Sequence, residues 1–427
     1  MGDRLRKGKF YGWIALAAAG LVLFIVNGSL LFSFGAFLPS ICKEFGWKSG
    51  DVSVALTILF VVITLSSPLV GFFTGKYGAR KAIVLGCLLA ALGLLCVAFQ
   101  SKLWQFRAAY GLIGLGASFG GMITATTIAQ NWFVKKAPLA MGITIAAGGI
   151  GGFVLVPLIM AMITNVGWRS AYLVLCGIVF LFGAVIPGLF LRNKPEDMGQ
   201  FPDGAASSEE HGKEAFAAPA RTRYVTPVDF TVKEATRTGA LWILIIFSNA
   251  VFFLLTFLTA HQIAFLTNIG IGAEIAAVTL GLSSGISTVG TLGMGFLALK
   301  QSLKMLTAIA ASLLLIGIFL ALLTRSMPMA FAFSIIFGIG SGAALVAGMS
   351  FLASYFGRKD YPKIMGISML FGIVGSVGAP VGGFLFDATK SYTTAFVVAM
   401  VVAAVPLLCM LIIRPPLHPS LKEKGVA

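Results

Sequence analysis

Twelve times along its 427 residues this chain runs for about twenty residues almost without charge, the length an α-helix needs to cross the hydrocarbon core of a bilayer. The runs fall near residues 11–37, 52–74, 82–100, 105–129, 138–163 and 170–191, then near 240–266, 274–299, 304–324, 328–355, 363–387 and 392–413. Lipid offers the backbone no hydrogen-bonding partners, so runs of this length can cross it only as helices. The composition agrees: 58% of residues are hydrophobic and 11% charged, against about 25% charged in soluble domains. A water-soluble globular fold is excluded, and the expectation is an all-α membrane protein of twelve transmembrane helices.

The runs divide six and six. Residues 1–192 read as one six-helix bundle, 193–238 as a polar linker that carries Glu209, Glu210, His211 and Lys213, and 239–427 as a second bundle with a short tail. The net charge of +16 would point to nucleic acid in a soluble protein. Here its distribution matters more, because short cytoplasmic loops collect Lys and Arg. With the amino terminus inside, 24 of the 31 basic residues fall on the cytoplasmic side and 7 outside. The expected placement is an inner (plasma) membrane with both ends cytoplasmic, a lipid bilayer as surroundings and no nucleic-acid partner. The basic opening MGDRLRKGKF leads into a run too long for a signal peptide, which makes the run a retained first helix. Five scattered cysteines without CxxC or CxxH spacing define neither a metal site nor a disulfide framework; no cofactor is expected, and the chain is expected to act as a monomer.

A shift of 224 residues superposes Gly114 on Gly338, Gly116 on Gly340, Met141-Gly142 on Met365-Gly366, Gly148 on Gly372, Gly151 on Gly375 and Tyr172 on Phe396. One six-helix half has been duplicated, which predicts two pseudo-symmetric bundles. Parallel halves of this kind form one of the transporter plans, with the substrate near mid-bilayer between them. Glycine-rich stretches such as GLIGLGASFGG, AAGGIGG and FGIVGSVGAPVGG allow the close backbone approach by which membrane helices pack or slide.

Several stretches carry a family resemblance: YGW at Tyr11, SFGAFLPSICKEFGW, NWFVKKAPLAMGITIAAGGIGG from Asn131, GWRSAY from Gly167, NKPEDMGQFPDG after the sixth span, His261 near the end of the seventh, YFGRKDYPKIMG from Tyr355, and GAPVGGFLFD with SYTTAF from Gly378 to Phe396. Over nearly its full length the chain resembles the major facilitator superfamily, most of all the bacterial branch related to monocarboxylate transporters and oxalate:formate antiporters. The resemblance implies the major facilitator fold and a secondary transporter. The family's motif between spans two and three, G-x-x-x-D-R/K-x-G-R-R/K, is met by Gly71, Lys76, Gly78, Arg80 and Lys81, with Gly75 at the acidic position. That acid stabilises one access state in the family, so its loss bears on how this chain holds that state. Relatives also carry an Arg in span eight that would pair with a substrate carboxylate, and Thr291 stands there.

The interior is nearly neutral. The acidic residues all lie in loops, tails or span ends, Glu274 and Asp387 coming nearest to the core. Arg107 reads as an interfacial anchor and Asp51 as a helix cap. His261, the histidine within a span, is expected to reach the substrate and to couple a proton, because an imidazole changes charge near pH 6.5. The other candidate substrate-binding residues are Asn27, Thr124, Thr144, Asn249, Ser287, Thr291 and Ser341, with Thr127 beside them. Ser284, Ser287, Thr288 and Thr291 follow helical spacing and form one polar stripe. Hydroxyls in such helices also bond back to their own carbonyls, which is the bland reading of each.

No nucleotide-binding motif or energising domain is present, so transport is expected to draw on gradients, and the resemblance implies a carrier and not an enzyme. The leading expectation is a carrier that moves a small organic anion by alternating access, as a proton symporter or an exchanger. Two alternatives stand beside it: a carrier of a neutral solute or metal complex, and a non-transporting sensor or assembly protein on the same fold.

Overall fold

A computed structural model describes residues 10–47, 49–204, 224–389 and 391–418. The basic N-terminal stretch, linker residues Glu209, Glu210, His211 and Lys213, and the side chains of Glu274 and Asp387 lie outside the described residues. Twelve of the described helices are long and apolar enough to cross a membrane. They are spans one (Gly12–Leu38), two (Val54–Tyr77), three (Ala79–Phe99), four (Leu103–Trp132), five (Ala137–Val166) and six (Trp168–Phe190), then seven (Gly239–Asn268), eight (Val278–Leu297), nine (Leu303–Leu323), ten (Met327–Phe356), eleven (Tyr361–Phe386) and twelve (Tyr392–Ile412). No strand occurs among the described residues.

The repeat read from the sequence governs the packing. In the first half span one packs on five, four on two and three, and three on six; in the second, seven packs on eleven, ten on eight and nine, and nine on twelve. The correspondence reaches single atoms. A Cβ on Gly114 would lie 2.7 Å from the carbonyl oxygen of Leu59, and one on Gly338 would lie 2.6 Å from that of Ser283, both pairs being 224 residues apart. Backbones this close are what glycine contributes where lipid supplies no hydrophobic drive.

Four spans depart from regular helix, span four being broken at Gly120–Gly121 between Phe119 and Met122. Span one changes to a π-helical turn over Asn27–Leu31, and span six does so over Val179–Val185. Span eleven is interrupted around Phe371 and again between Gly375 and Gly378. Three glycines and Pro380 lie in that stretch, and the proline ring removes the N–H that the Ser376 carbonyl would have received.

Because the spans alternate in direction, the start of span one, the end of span twelve and the described linker residues 193–204 and 224–238 lie at one end of the molecule, and there the halves meet. Span two packs on eleven and span five on eight and ten. A Cβ on Gly366 of span eleven would sit 2.5 Å from the Ser67 carbonyl oxygen of span two, and one on Gly142 of span five 2.9 Å from the Thr291 carbonyl oxygen of span eight. Pro68 leaves the Thr64 carbonyl without its helical donor. The Ser67 hydroxyl reaches that carbonyl at 2.7 Å and the Gly366 carbonyl across the interface at 2.9 Å. Toward the other end the surfaces part. The face of span five that carries Gly142 and Gly149 continues one turn on at Phe153, which is 83% exposed. Opposite it on span eight, Gly281 and Gly285 have nothing within 4 Å. A cleft therefore lies between the halves, closed at the linker end.

Candidate functional site

The candidate residues fall into three groups. The first centres on the π turn of span one. Asn27 opens that turn half-buried, its side-chain amide without a hydrogen-bond partner among the described residues, and a Cβ on Gly148 of span five would approach its Nδ2 to 2.5 Å. Two residues on, the Ser29 hydroxyl is buried and unpartnered. π turns insert one extra residue into a helix and recur at functional positions.

The second group lies where span eight crosses spans five and ten. Thr291 is 3% exposed, and its hydroxyl donates to the Gly342 carbonyl of span ten at 3.2 Å. Ser287 donates to Ser284 at 2.6 Å, Ser284 to Leu280 at 3.2 Å and Ser341 to Gly338 at 2.9 Å, each within its own helix. Thr288 faces Gly149 of span five. The stripe thus forms contact between helices at Thr291 and Thr288, whereas Ser284 and Ser287 bond back. Thr124, Thr127 and Thr144 also bond back, to Gly121, Ile123 and Ala140.

The third group holds the interruption in span eleven. Asn249 Nδ2 donates to Ile245 at 2.8 Å, and its Oδ1 accepts the Gly375 N–H at 2.9 Å. His261 Nε2 lies 2.7 Å from the Ala379 carbonyl oxygen, and its ring packs against Phe257 and Tyr392. Irregular backbone at membrane depth needs such partners.

The motif residues work at the linker end. Gly71 meets span eleven at Pro362 and Gly366. Gly78 turns the chain at φ +89°, a conformation that favours glycine. Asn193, just beyond span six, accepts the Arg80 N–H at 2.9 Å, and the Arg80 guanidinium donates to the Gly188 carbonyl. Lys76 lies over the Tyr77 ring, and Lys81 is exposed. At the missing acid, the stem of Lys363 fills the space beside Gly75: a Cβ there would lie 2.9 Å from its Cε. The Lys363 ammonium instead pairs with Asp360 of its own half at 2.7 Å.

Arg358, given no role in the sequence reading, joins the halves. Its guanidinium donates to the Asn131 carbonyl at the end of span four and lies 3.9 Å from Glu196. Its N–H is capped by Asp229 at 2.8 Å. Burial pulls its pKa down from the usual arginine value, and the carboxylates of Glu196, Asp229 and Asp203 oppose that shift. Asp203 in turn accepts the N–H groups of Val134, Lys135 and Lys136. Val134 and Arg358 are 224 residues apart, so each half caps the same turn with an aspartate from the segment between the halves. The signal was present in the repeat offset and in the three quoted stretches that meet here. At the opposite end, Arg107 pairs with Asp51 at 3.5 Å. Asp51 lies within the helical turn that begins at Ser49, so it is an ion-pair partner and not the cap expected.

Twelve spans, a duplicated half and a cleft closed at one end define a multi-pass membrane transporter. The family model of the Major Facilitator Superfamily matches residues 17–344 and 304–426, and the chain belongs to that superfamily. Monocarboxylate transporter 13 of Bos taurus is 27% identical over 397 residues, covering 91% of this chain and 86% of the relative. Monocarboxylate transporter 7 of Homo sapiens is 23% identical over 457 residues, covering 95% and 86%. Both relatives are named monocarboxylate transporters, the group to which the bacterial branch that the sequence stretches resemble is related. The crystal structure of FucP in the outward conformation aligns with a TM-score of 0.70 at 14% identity, covering 94% of this chain and 99% of that one. The proton:xylose symporter XylE, bound to 6-bromo-6-deoxy-D-glucose, aligns at 0.71 with 12% identity, covering 98% and 96%. The major facilitator fold is thereby established, and the chain is a transporter of small molecules, not an enzyme.

Proposed function

We propose that this transporter carries small organic acids, monocarboxylates first among them, across the inner membrane by alternating access, as a proton symporter or an exchanger. Both termini are cytoplasmic in this reading, and the state described is outward-facing. The observation that carries it is closure at one end only. Spans two and eleven, and five and eight, meet through glycine at the linker end, while Phe153 and Gly285 border open space beyond. Such surfaces can part by rocking of one half against the other about a fixed site. The bias of 24 to 7 basic residues supports the cytoplasmic assignment of that end, and the relatives' names support the substrate class. Asn27, Thr124, Thr144, Ser287, Thr291 and Ser341 are proposed to line or frame the path, and Asn249 and His261 to hold the wall that span eleven forms.

A second reading, a neutral cargo, is favoured by Thr291, which occupies the place of the expected Arg and is engaged with Gly342. Purified protein titrated with monocarboxylates, dicarboxylates, neutral solutes and metal chelates tests both. Thermal stabilisation by monocarboxylates alone supports the first reading, and stabilisation only by neutral solutes supports the second. Single cysteines at Lys233 and Ser326, in a background lacking the five native ones, test the orientation. Labelling of both from outside intact cells contradicts it.

A further inference from the structure

Resting on the organic-acid reading, we propose that the species crossing the cleft is the undissociated acid, and that the side-chain amide of Asn27 recognises its carboxyl group.

The first ground is charge. Among the described residues, the charged groups of the spans sit at span ends, where Arg80 is partnered by Gly188, Arg107 by Asp51, Arg169 by Glu44 and Lys363 by Asp360, and Lys81 is exposed. Thr291, where a cation would be expected, is buried between the Gly142 and Gly342 backbones. His261 directs Nε2 at the Ala379 carbonyl. A carboxylate entering this interior leaves water without meeting a fixed positive charge, at a cost of several kcal/mol. Protonation in the outer water removes that cost.

The second ground is the π turn. Asn27 brings an amide without a protein partner into a tight space beside Gly148, and the buried Ser29 hydroxyl lies one step further on. A primary amide offers an N–H donor and a C=O acceptor side by side. A carboxylic acid offers the complementary pair, C=O and O–H, so the two groups match through two parallel hydrogen bonds. A carboxylate has no donor, and its second oxygen would face the amide oxygen. The proton balance follows: one proton joins the carboxylate outside, travels on the substrate and leaves it inside. The net movement is one proton with each anion, with no titrating group of the protein in the cycle.

The test uses the full chain in proteoliposomes with a radiolabelled hydroxy acid below saturation, subtracting flux into protein-free vesicles. The undissociated fraction of an acid titrating near pH 4 grows about tenfold per pH unit above its pKa. Initial uptake should therefore rise about tenfold from pH 6.5 to 5.5, and acids of different pKa should fall on one curve when plotted against undissociated concentration. The uncharged carboxamide analogue should compete, and the permanently ionised sulfonate should not. Asn27→Leu should lower uptake more than tenfold, and Asn27→Gln should retain part of it. A rise far short of tenfold over that interval, the same for every acid and flattened in His261→Gln, would trace the proton to a group of the protein instead of the substrate. That result, or competition by the sulfonate equal to that of the acid, would overturn the proposal while leaving the organic-acid reading intact. If no carboxylic acid is carried or competes at any pH, the organic-acid reading falls, and this inference with it.

Discussion

Gly366→Ala is the sharpest perturbation of the closed end. The added methyl would lie 2.5 Å from the Ser67 carbonyl oxygen and 3.2 Å from the Gly71 Cα. These are backbone atoms that no rotamer change can move aside. Relief requires spans two and eleven to separate by about half an ångström, and overpacking of this kind costs about 1–3 kcal/mol. The penalty applies only in the state in which the two spans touch, so it enters the conformational equilibrium directly as roughly a 5- to 150-fold shift away from closure. Spin labels at Lys136 and Leu299, both exposed near the linker ends of spans five and eight, would report it as a second, longer distance population in lipid. Gly285→Ala is the control, since its methyl meets nothing within 4 Å, and it should leave the distribution unchanged. An unaltered distribution in Gly366→Ala at native thermal stability would refute the assignment of this contact as the gate. Equal broadening in Gly285→Ala would show that the effect is general softening.

Three further outcomes are expected. Arg358→Ala removes a charge-assisted bridge to Asn131 and Glu196, worth about 1.5 kcal/mol at the low end for such bonds, and should open the linker end about tenfold by the same distance measurement. Thr291→Arg would force a long cation between the Gly142 and Gly342 backbones, at several kcal/mol for an unpaired buried charge. It should lose monodisperse folded protein on size exclusion, whereas Thr291→Val should fold and change stability by only about 1 kcal/mol. Hydrogen bonds from Arg169 and Trp168, and then the Arg169 charge, hold Glu44 below the ordinary carboxylate value of 4.5. A depressed folded-state pKa contributes stability that is full above the unfolded value and fades as pH falls through the folded one. Acid loss of melting temperature below about pH 5 should therefore be smaller in Glu44→Gln, read by a thermal series on protein in nanodiscs.

What the sequence disclosed follows from which physics is local. Runs of twenty apolar residues identify membrane helices because the bilayer imposes their length, and all twelve were legible. The offset of 224 was legible too, and it reaches as far as the Gly114–Leu59 and Gly338–Ser283 contacts. The π turn at Asn27 left no mark in the residue pattern, because one extra residue per turn changes backbone register and not composition. The role of Arg358 depends on Asn131, Glu196 and Asp229, more than a hundred positions away, so no window of sequence contains it. Polar residues were found but their employment was not. Asn249 and His261 carry the same donors and acceptors whether they face a substrate or hold the break in span eleven at Gly375 and Ala379.

Counterflow tests most directly, and without assuming any driving ion, whether this chain moves a small organic acid through a gated cleft. Proteoliposomes loaded with an unlabelled monocarboxylate and diluted into a trace of the labelled acid should accumulate label transiently above equilibrium. Sealing the linker end should abolish the overshoot, for example with a bifunctional thiol reagent that bridges cysteines introduced at the exposed positions Lys136 and Leu299. Folded, monodisperse protein that gives no overshoot with any monocarboxylate, and dissipates no carboxylate gradient, would contradict the account and leave the fold to a neutral cargo or a non-transporting role.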